Sequence, residues 1–419
     1  MGKLAVTGGA AVWIGAWPAW PIFGEREATL LRQVLESGRW AYDGPFEAQF
    51  QESFAAYHDA RYAVCVTSGT TALQLALEAL DIGYGDEVIL PANTWQATAV
   101  AVLDVNAVPI LVDIEPDTYA INLAQAAAAL TPRTRAIIPV HLFDNVADMD
   151  RLLAFAHQHN LAVIEDCAHA HGTQWRGKGV GSLGDVGCFS LQGSKSLNAG
   201  EGGLVLTGDE RLHERLYSLR NCGRMRPGAV AEEWQPVQGG NYRMTEWQAA
   251  VLCAQFERLP AQVEKRQANA RFLDQQIHQI AGLAPLRRRP EVTRRGMYNY
   301  VLRYDPEFFN EVPVEAFRRA LSAEIGARVG SVYHPLTRSP LYQPQTKRRY
   351  RLSDEHWRAL DPSRFATPVA ERAYTSEAVL FSHSALLAEP AAMQAIVDAC
   401  AKLADQRDEL AAWALAEQI

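Results

Sequence analysis

The sequence predicts an α/β protein built on a largely parallel sheet, and three observations carry that prediction. Between about residues 60 and 207, short runs rich in Val, Ile and Leu alternate with segments of helical periodicity. The strand-like runs are apolar at successive positions, so both of their faces are buried, the habit of parallel strands covered by helices. Polar residues gather where the runs end, and in such sheets ligands bind beyond the carboxyl ends of the strands.

Taken in order, the strand-like runs are YAVCVTS, EVILPA, AVPILVDI, RAIIPV, LAVIED, VGCFSL and GGLVLT. The helical patterns between them include TTALQLALEAL, QATAVAVLD, NLAQAAAALT and VADMDRLLAFAHQHN. Turn residues and apolar periodicity define each one. A long helical stretch follows, from about Met244 to Ile280. Beyond it come strand-like MYNYVLRYD, helical VPVEAFRRALSAEI and a closing amphipathic EPAAMQAIVDACAKLADQ, which together predict a smaller α+β unit. A length of 419 residues exceeds what one core usually organises. Two domains are therefore expected: 1–275, with an N-terminal arm, and 276–419.

Composition narrows the function. A net charge of -8, from 40 basic and 48 acidic residues, argues against nucleic acid or an anionic membrane as the partner. Glycines and Pro18 break the apolar N-terminal stretch, and no run approaches the roughly 18 residues of a membrane span. The six cysteines form no C-x-x-C pair, so a reduced, cytoplasmic protein is expected, and no metal site is predicted. The basic runs LRRRPEVTRR and KRRYR read as solvated loop edges.

Three glycine-containing stretches suggest phosphate binding. GVGSLG has the spelling of a dinucleotide fingerprint but precedes a strand, not a helix, and GSKS lacks the glycines of a P-loop. TSGTTALQLAL is different: a strand ends at Ser68 and a helix begins at once. Free N–H groups of Gly69, Thr70 and Thr71 at this helix start, with hydroxyls beside them, would make an anion cradle, although an ordinary cap by Ser68 or Thr70 explains the same letters. VIEDCAHAHG places Asp166 and His169 at the end of another strand, where a carboxylate caps a helix or meets a cation. Lys195 lies among small polar residues between two apolar runs. A lysine, an amide cradle and a buried carboxylate together are the three anchors that pyridoxal 5'-phosphate requires, for its aldehyde, its phosphate and its ring nitrogen.

At these residues the sequence resembles the sugar aminotransferases of the DegT/DnrJ/EryC1/StrS family. The motifs SGTTAL, ANTW, VDIEPDTYAI, IPVHLF, IEDCAHAHG, FSLQGSKSLNAGEGG and GGNYRMTEWQAA occur in the family's order. The resemblance implies the fold of type I pyridoxal-phosphate transferases, a mostly parallel seven-stranded sheet flanked by helices. It implies Lys195 as the Schiff-base lysine and catalytic residue, and Asp166 as partner of the pyridine nitrogen. Gly69, Thr70 and Thr71 with Ser190 would hold the phosphate, and Trp95 would stack on the ring. Asn241 would reach the phosphate in the neighbouring subunit's site, so a homodimer with shared active sites follows.

His169, where the family often has Gln, would lie near the cofactor's phenolic oxygen. The C-terminal part is similar to aminotransferases acting on scyllo-inosose and 2-deoxy-scyllo-inosose. That similarity implies L-glutamine or L-glutamate as donor and a keto-cyclitol as acceptor, with a nucleotide-linked ketosugar as the rival. Tyr333, His334 and His383 are then candidates for the substrate pocket. Arg243 could serve substrate, helix cap or dimer contact.

Overall fold

The protein is described here from a computed structural model, over residues 2–229 and 237–419. Helices α1 (Glu25–Ser37) and α2 (Pro45–Tyr57) precede the first strand, β1 (Tyr62–Val66). Then come α3 (Gly69–Ala79), β2 (Glu87–Pro91), α4 (Ala97–Asp104), β3 (Val108–Val112), α5 (Leu123–Ala128) and β4 (Thr134–Ile137). Helix α6 (Met149–His159) leads to β5 (Ala162–Asp166) and a small hairpin, β6 (Gln174–Trp175) and β7 (Lys178–Gly179). Strands β8 (Val186–Ser190) and β9 (Gly203–Thr207) are followed by α7 (Glu210–Arg220) and the long α8 (Glu246–Ile277).

Strands β1, β9, β8, β5, β4, β2 and β3 pair in that order into one seven-stranded sheet. Only β9 runs against the rest, pairing antiparallel with both β1 and β8. All seven predicted strands are present, and alternate residues serve opposite cores. Val64, Val66, Val88 and Leu90 join one apolar cluster with α3 and α4, while Ala63, Cys65 and Ile89 join another with α2, α6 and α8. Because β8 and β9 are antiparallel neighbours, the segment between them turns back at the carboxyl edge of the sheet. That is where the chain puts Lys195.

The third core contains β10 (Leu283–Pro285), β12 (Asn299–Tyr304) and β13 (Ala378–Ser382), while β11 (Val292–Arg294) pairs instead with the β6–β7 hairpin. Helices α9 (Val314–Ile325), α10 (Asp354–Ala359), α11 (Pro368–Arg372), α12 (Pro390–Asp405) and α13 (Arg407–Ala416) complete the chain. Helix α12 is thus not the last helix, as the sequence suggested. Leu4 is fully buried in this third core, its N–H bonding Glu409, so the N-terminal segment lies against the C-terminal helices.

The run LRRRPEVTRR is not a solvated edge. Arg288 pairs with Asp144 (2.7 Å) and Asp274 (3.4 Å), and Arg295 with the same two carboxylates at 3.0 and 2.7 Å. Arg289 pairs with Glu115 and Asp148, and Arg294 lies over the Tyr57 ring at 4.2 Å. Burial alone would lower the affinity of Arg288 for its proton, but Asp144 and Asp274 outweigh it and hold the guanidinium firmly charged. Of KRRYR, Lys347 and Arg349 both pair with Asp104.

Candidate active site

Five strand ends and two residues from beyond α8 enclose a cavity of about 520 Å³ at the carboxyl edge of the sheet. After β1, Ser68 caps α3: its hydroxyl oxygen accepts from the Thr71 N–H at 3.1 Å, and its carbonyl from Ala72 at 2.9 Å. The cap occupies Thr71, whose hydroxyl also meets Thr67 and Ser68, so Thr71 holds the cradle's shape instead of lining the cavity. The N–H groups of Gly69 and Thr70, which do line it, are the orphan donors of a helix start. Glycine is required at position 69, because a Cβ there would sit 2.8 Å from that of Ser190.

Asp166 closes β5 and is buried. One carboxylate oxygen accepts from the Thr98 hydroxyl at 2.8 Å and the other from the Ala168 N–H at 3.2 Å, while no cation pairs with it among the described residues. Burial raises its pKa, against the lowering effects of Thr98, Ala168 and, more weakly, Lys195. Lys195 follows β8, and its Nζ lies 4.3 Å from the centre of the Tyr298 ring. Burial brings the lysine's pKa down to about 8, with Asp166 opposing. The two groups thus form an acid and a base that share a cavity without an ion pair.

His169 is fully engaged. Its Nδ1 accepts from the Phe143 N–H at 3.1 Å, so its proton sits on Nε2, which meets the Tyr333 hydroxyl oxygen at 3.1 Å. Burial, then Lys195 and two neighbouring histidines, push it well below the usual histidine range and keep it neutral. With Nε2–H donating, the Tyr333 hydroxyl proton is left to point elsewhere, and Tyr333 lines the cavity. Trp95 is 47% exposed and also lines the cavity, its ring 5.5 Å from that of Tyr333. Ser190 closes β8 beside the cradle.

Two expected pocket residues lie elsewhere. His334 lies tilted against the Tyr374 ring, centroids 4.4 Å apart, outside the cavity lining. His383 follows β13 and turns behind the lysine turn, where its Nε2 meets the Ser194 carbonyl at 2.9 Å, so it supports the site from the rear. Asn241 is exposed and Arg243 bonds Asn221 at 3.0 Å under Tyr42; neither lines the cavity of its own chain.

Sequence reasoning passed over Thr98 and Tyr298. Thr98 had a local signal, a hydroxyl in the first turn of the helix after β2. Tyr298 had none, since only the fold brings β12 to the lysine. Glu165, beside Asp166 in sequence, faces the other way. It accepts from the Gly181, Leu183 and Gly184 N–H groups, each at 2.8 Å, and pairs with His141 at 3.0 Å.

The sequence model of the DegT/DnrJ/EryC1/StrS aminotransferase family matches residues 21–396. The chain is 41% identical to an L-glutamine:2-deoxy-scyllo-inosose aminotransferase of Streptoalloteichus tenebrarius, across 98% of this chain and 99% of the relative. It is 42% identical to an L-glutamine:scyllo-inosose aminotransferase of Streptomyces griseus, across 97% and 99%. Among solved structures, 3-amino-5-hydroxybenzoic acid synthase superposes with a TM-score of 0.80 at 31% identity, over 93% of this chain and 99% of that one.

Proposed function

Because this chain belongs to the DegT/DnrJ/EryC1/StrS aminotransferase family, we propose that it uses pyridoxal 5'-phosphate to move an amino group from L-glutamine or L-glutamate to a keto-cyclitol such as scyllo-inosose or 2-deoxy-scyllo-inosose. The single observation that carries the cofactor is the convergence of Lys195, Asp166 and the Gly69–Thr70 amides on one cavity. A buried carboxylate without a cation fits a protonated ring nitrogen, the Gly69 and Thr70 amides left over by the Ser68 cap fit a phosphate, and a lysine with its pKa near 8 fits an aldehyde. When bound, the cofactor supplies an electron sink for the pair left on the donor's α carbon.

The chain's own residues do the rest. Lys195 would hold the cofactor's aldehyde carbon and, as a free amine, would move a proton to and from the reacting carbon. Asp166, steadied by Thr98, holds the ring nitrogen protonated. Ser190 adds a hydroxyl to the phosphate cradle, and Trp95 covers one face of the ring. Tyr333, oriented by His169, offers its proton to an oxygen in the cavity. Asn241, which does not line its own cavity, would reach the phosphate in the partner's site of a homodimer, and Arg243 beside it would serve the dimer contact.

The keto-cyclitol is favoured by the names of the two relatives above. The structure adds support: four of the five arginines of LRRRPEVTRR, Arg287, Arg288, Arg289 and Arg295, are paired with carboxylates, and Arg294 packs over Tyr57, so most of that run is already engaged within the fold and is poorly placed to hold a nucleotide diphosphate. On this reading residues 1–275 hold the cofactor, while 276–419 supply Tyr298 and Tyr333. No helix among the described residues is long and apolar enough to cross a membrane; a cytoplasmic location is part of the proposal.

A two-stage single-turnover assay tests it. L-Glutamine is expected to convert the pyridoxal form to the pyridoxamine form, and an inosose to reverse that change. Reversal only by a nucleotide-linked ketosugar would move the acceptor to the rival class. No conversion by glutamine or glutamate would overturn the aminotransferase reading.

A further inference from the structure

We infer that the turn bearing Lys195 is aimed by a clamp drawn from both ends of the chain, with His383 as its positioning residue. The inference rests on Lys195 being the residue that forms the imine with pyridoxal phosphate. Three hydrogen bonds hold the two residues before the lysine. The Trp20 indole N–H donates to the Gly193 carbonyl at 3.2 Å. The His383 Nε2–H donates to the Ser194 carbonyl at 2.9 Å, and the Tyr298 hydroxyl meets the Ser194 hydroxyl at 2.8 Å. None of these partners is near the turn in sequence, and the clamp parts brace one another. Trp20 packs edge-on against the His383 ring at 4.6 Å, the Tyr298 ring stacks on it at 5.6 Å, and the His383 N–H donates to the Tyr298 carbonyl at 3.0 Å.

A buried cation fixes the state of the clamp. The fully buried Arg266 donates from Nε to the His383 carbonyl at 3.3 Å and lies 5.3 Å from the centre of the Trp20 ring. No carboxylate pairs with it among the described residues, and its Nη1, like the His383 Nδ1, is buried without a hydrogen-bond partner there. A second positive charge on the adjoining imidazole would be strongly disfavoured. Burial first, and then Arg266, hold His383 well below the usual histidine range. The ring is thus a neutral, fixed-tautomer donor, and Arg266 serves to keep it so. A side chain that swings on a turn would otherwise present its amine over a range of angles, and imine chemistry depends on the approach to the carbonyl carbon.

The test separates aiming from pocket integrity. In imine formation the Lys195 amine adds to the aldehyde carbon of pyridoxal phosphate and water leaves; pyridoxamine phosphate binds with no such bond. Enzyme stripped of cofactor is offered each in turn, as wild type, His383→Phe and His383→Gln. His383→Phe keeps a ring but no N–H, while His383→Gln restores a donor. The expected result is covalent capture slowed at least about fivefold by His383→Phe, pyridoxamine phosphate affinity within about twofold of wild type, and recovery by His383→Gln.

Capture at the wild-type rate in His383→Phe overturns the inference, as does a matching loss of pyridoxamine phosphate binding, or a His383→Gln variant no better than His383→Phe. Should His383→Phe fail to fold, Trp20→Phe, which removes the Gly193 bond but keeps a ring beside His383, carries the same comparison with about a twofold slowing expected. A wild type that captures no pyridoxal phosphate at all is a separate result, and fails the cofactor reading itself.

Discussion

Two of the places where this protein buries charge are built on opposite principles. Around Arg288, Arg289 and Arg295 every guanidinium has at least two carboxylates, and Asp144 and Asp274 each serve two arginines. In the cavity, Lys195 and Asp166 share a space without forming an ion pair, and burial moves each toward its neutral form. The first arrangement answers every cation with carboxylates and joins the third core to the large sheet. The second leaves its charges open, and open charges are where a ligand's charges belong. Glu165 and Asp166 repeat the contrast one residue apart. Burial would raise Glu165 too, but His141 and the surrounding N–H groups outweigh it and keep it ionised.

Removing Lys195 attacks the open site at its centre. Lys195→Ala is expected to lower conversion by glutamine about a thousandfold or more, while thermal stability of the cofactor-free protein stays equal or rises. Asp166→Asn should cost about a hundredfold in the same assay through loss of the ring-nitrogen charge, again without lowering the unfolding midpoint. The paired network should behave in reverse. Asp144→Asn leaves Arg288 and Arg295 short of a partner and is expected to destabilise by about 3–5 kcal/mol in denaturant unfolding, with folded enzyme keeping its cofactor affinity. Equal effects on function and stability in all three variants would dissolve the distinction.

A pH series sharpens it. The Lys195 pKa is lowered from 10.5 to about 8 in the folded chain, so between those values the unfolded chain binds more protons. Stability of the cofactor-free protein should therefore gain a contribution that rises from about pH 8 and levels off near 10.5, and Lys195→Met should lack it. The smallest effect is at the rim of the network. Arg287, half-exposed beside Asp117, should cost under about 0.5 kcal/mol as Arg287→Ala.

How far the letters reach follows from how local each feature is. The strands and the residues at their ends could be read because apolar runs and the turns closing them are short-range patterns; Ser68, Asp166 and Ser190 each lie at or next to the end of such a run. Arg288 and Arg295 were misread because their partners, Asp144 and Asp274, come from distant segments, and a run of arginines looks the same whether water or carboxylate surrounds it. His383 was recognised as belonging to the site yet placed on its wrong side, since nothing in FSHS tells which face of the lysine turn a ring will meet. Tyr298 and Arg266 carried no signal at all. Helices α1, α2 and α7 also escaped the reading, and the two-residue strands of the hairpin are too short to show any period.

One element ties these regions into a single mechanical body. Helix α8 runs 32 residues, about 48 Å, with Leu252, Leu259 and Val263 in the core beneath the large sheet and Ala270, Leu273 and Ile277 in the core of the smaller unit. A rod anchored at both ends in different cores cannot lose one without fraying into the other. Calorimetry should therefore find one cooperative melting transition where a chain of this length would ordinarily allow two, and hydrogen exchange along the middle of the helix should report that shared event.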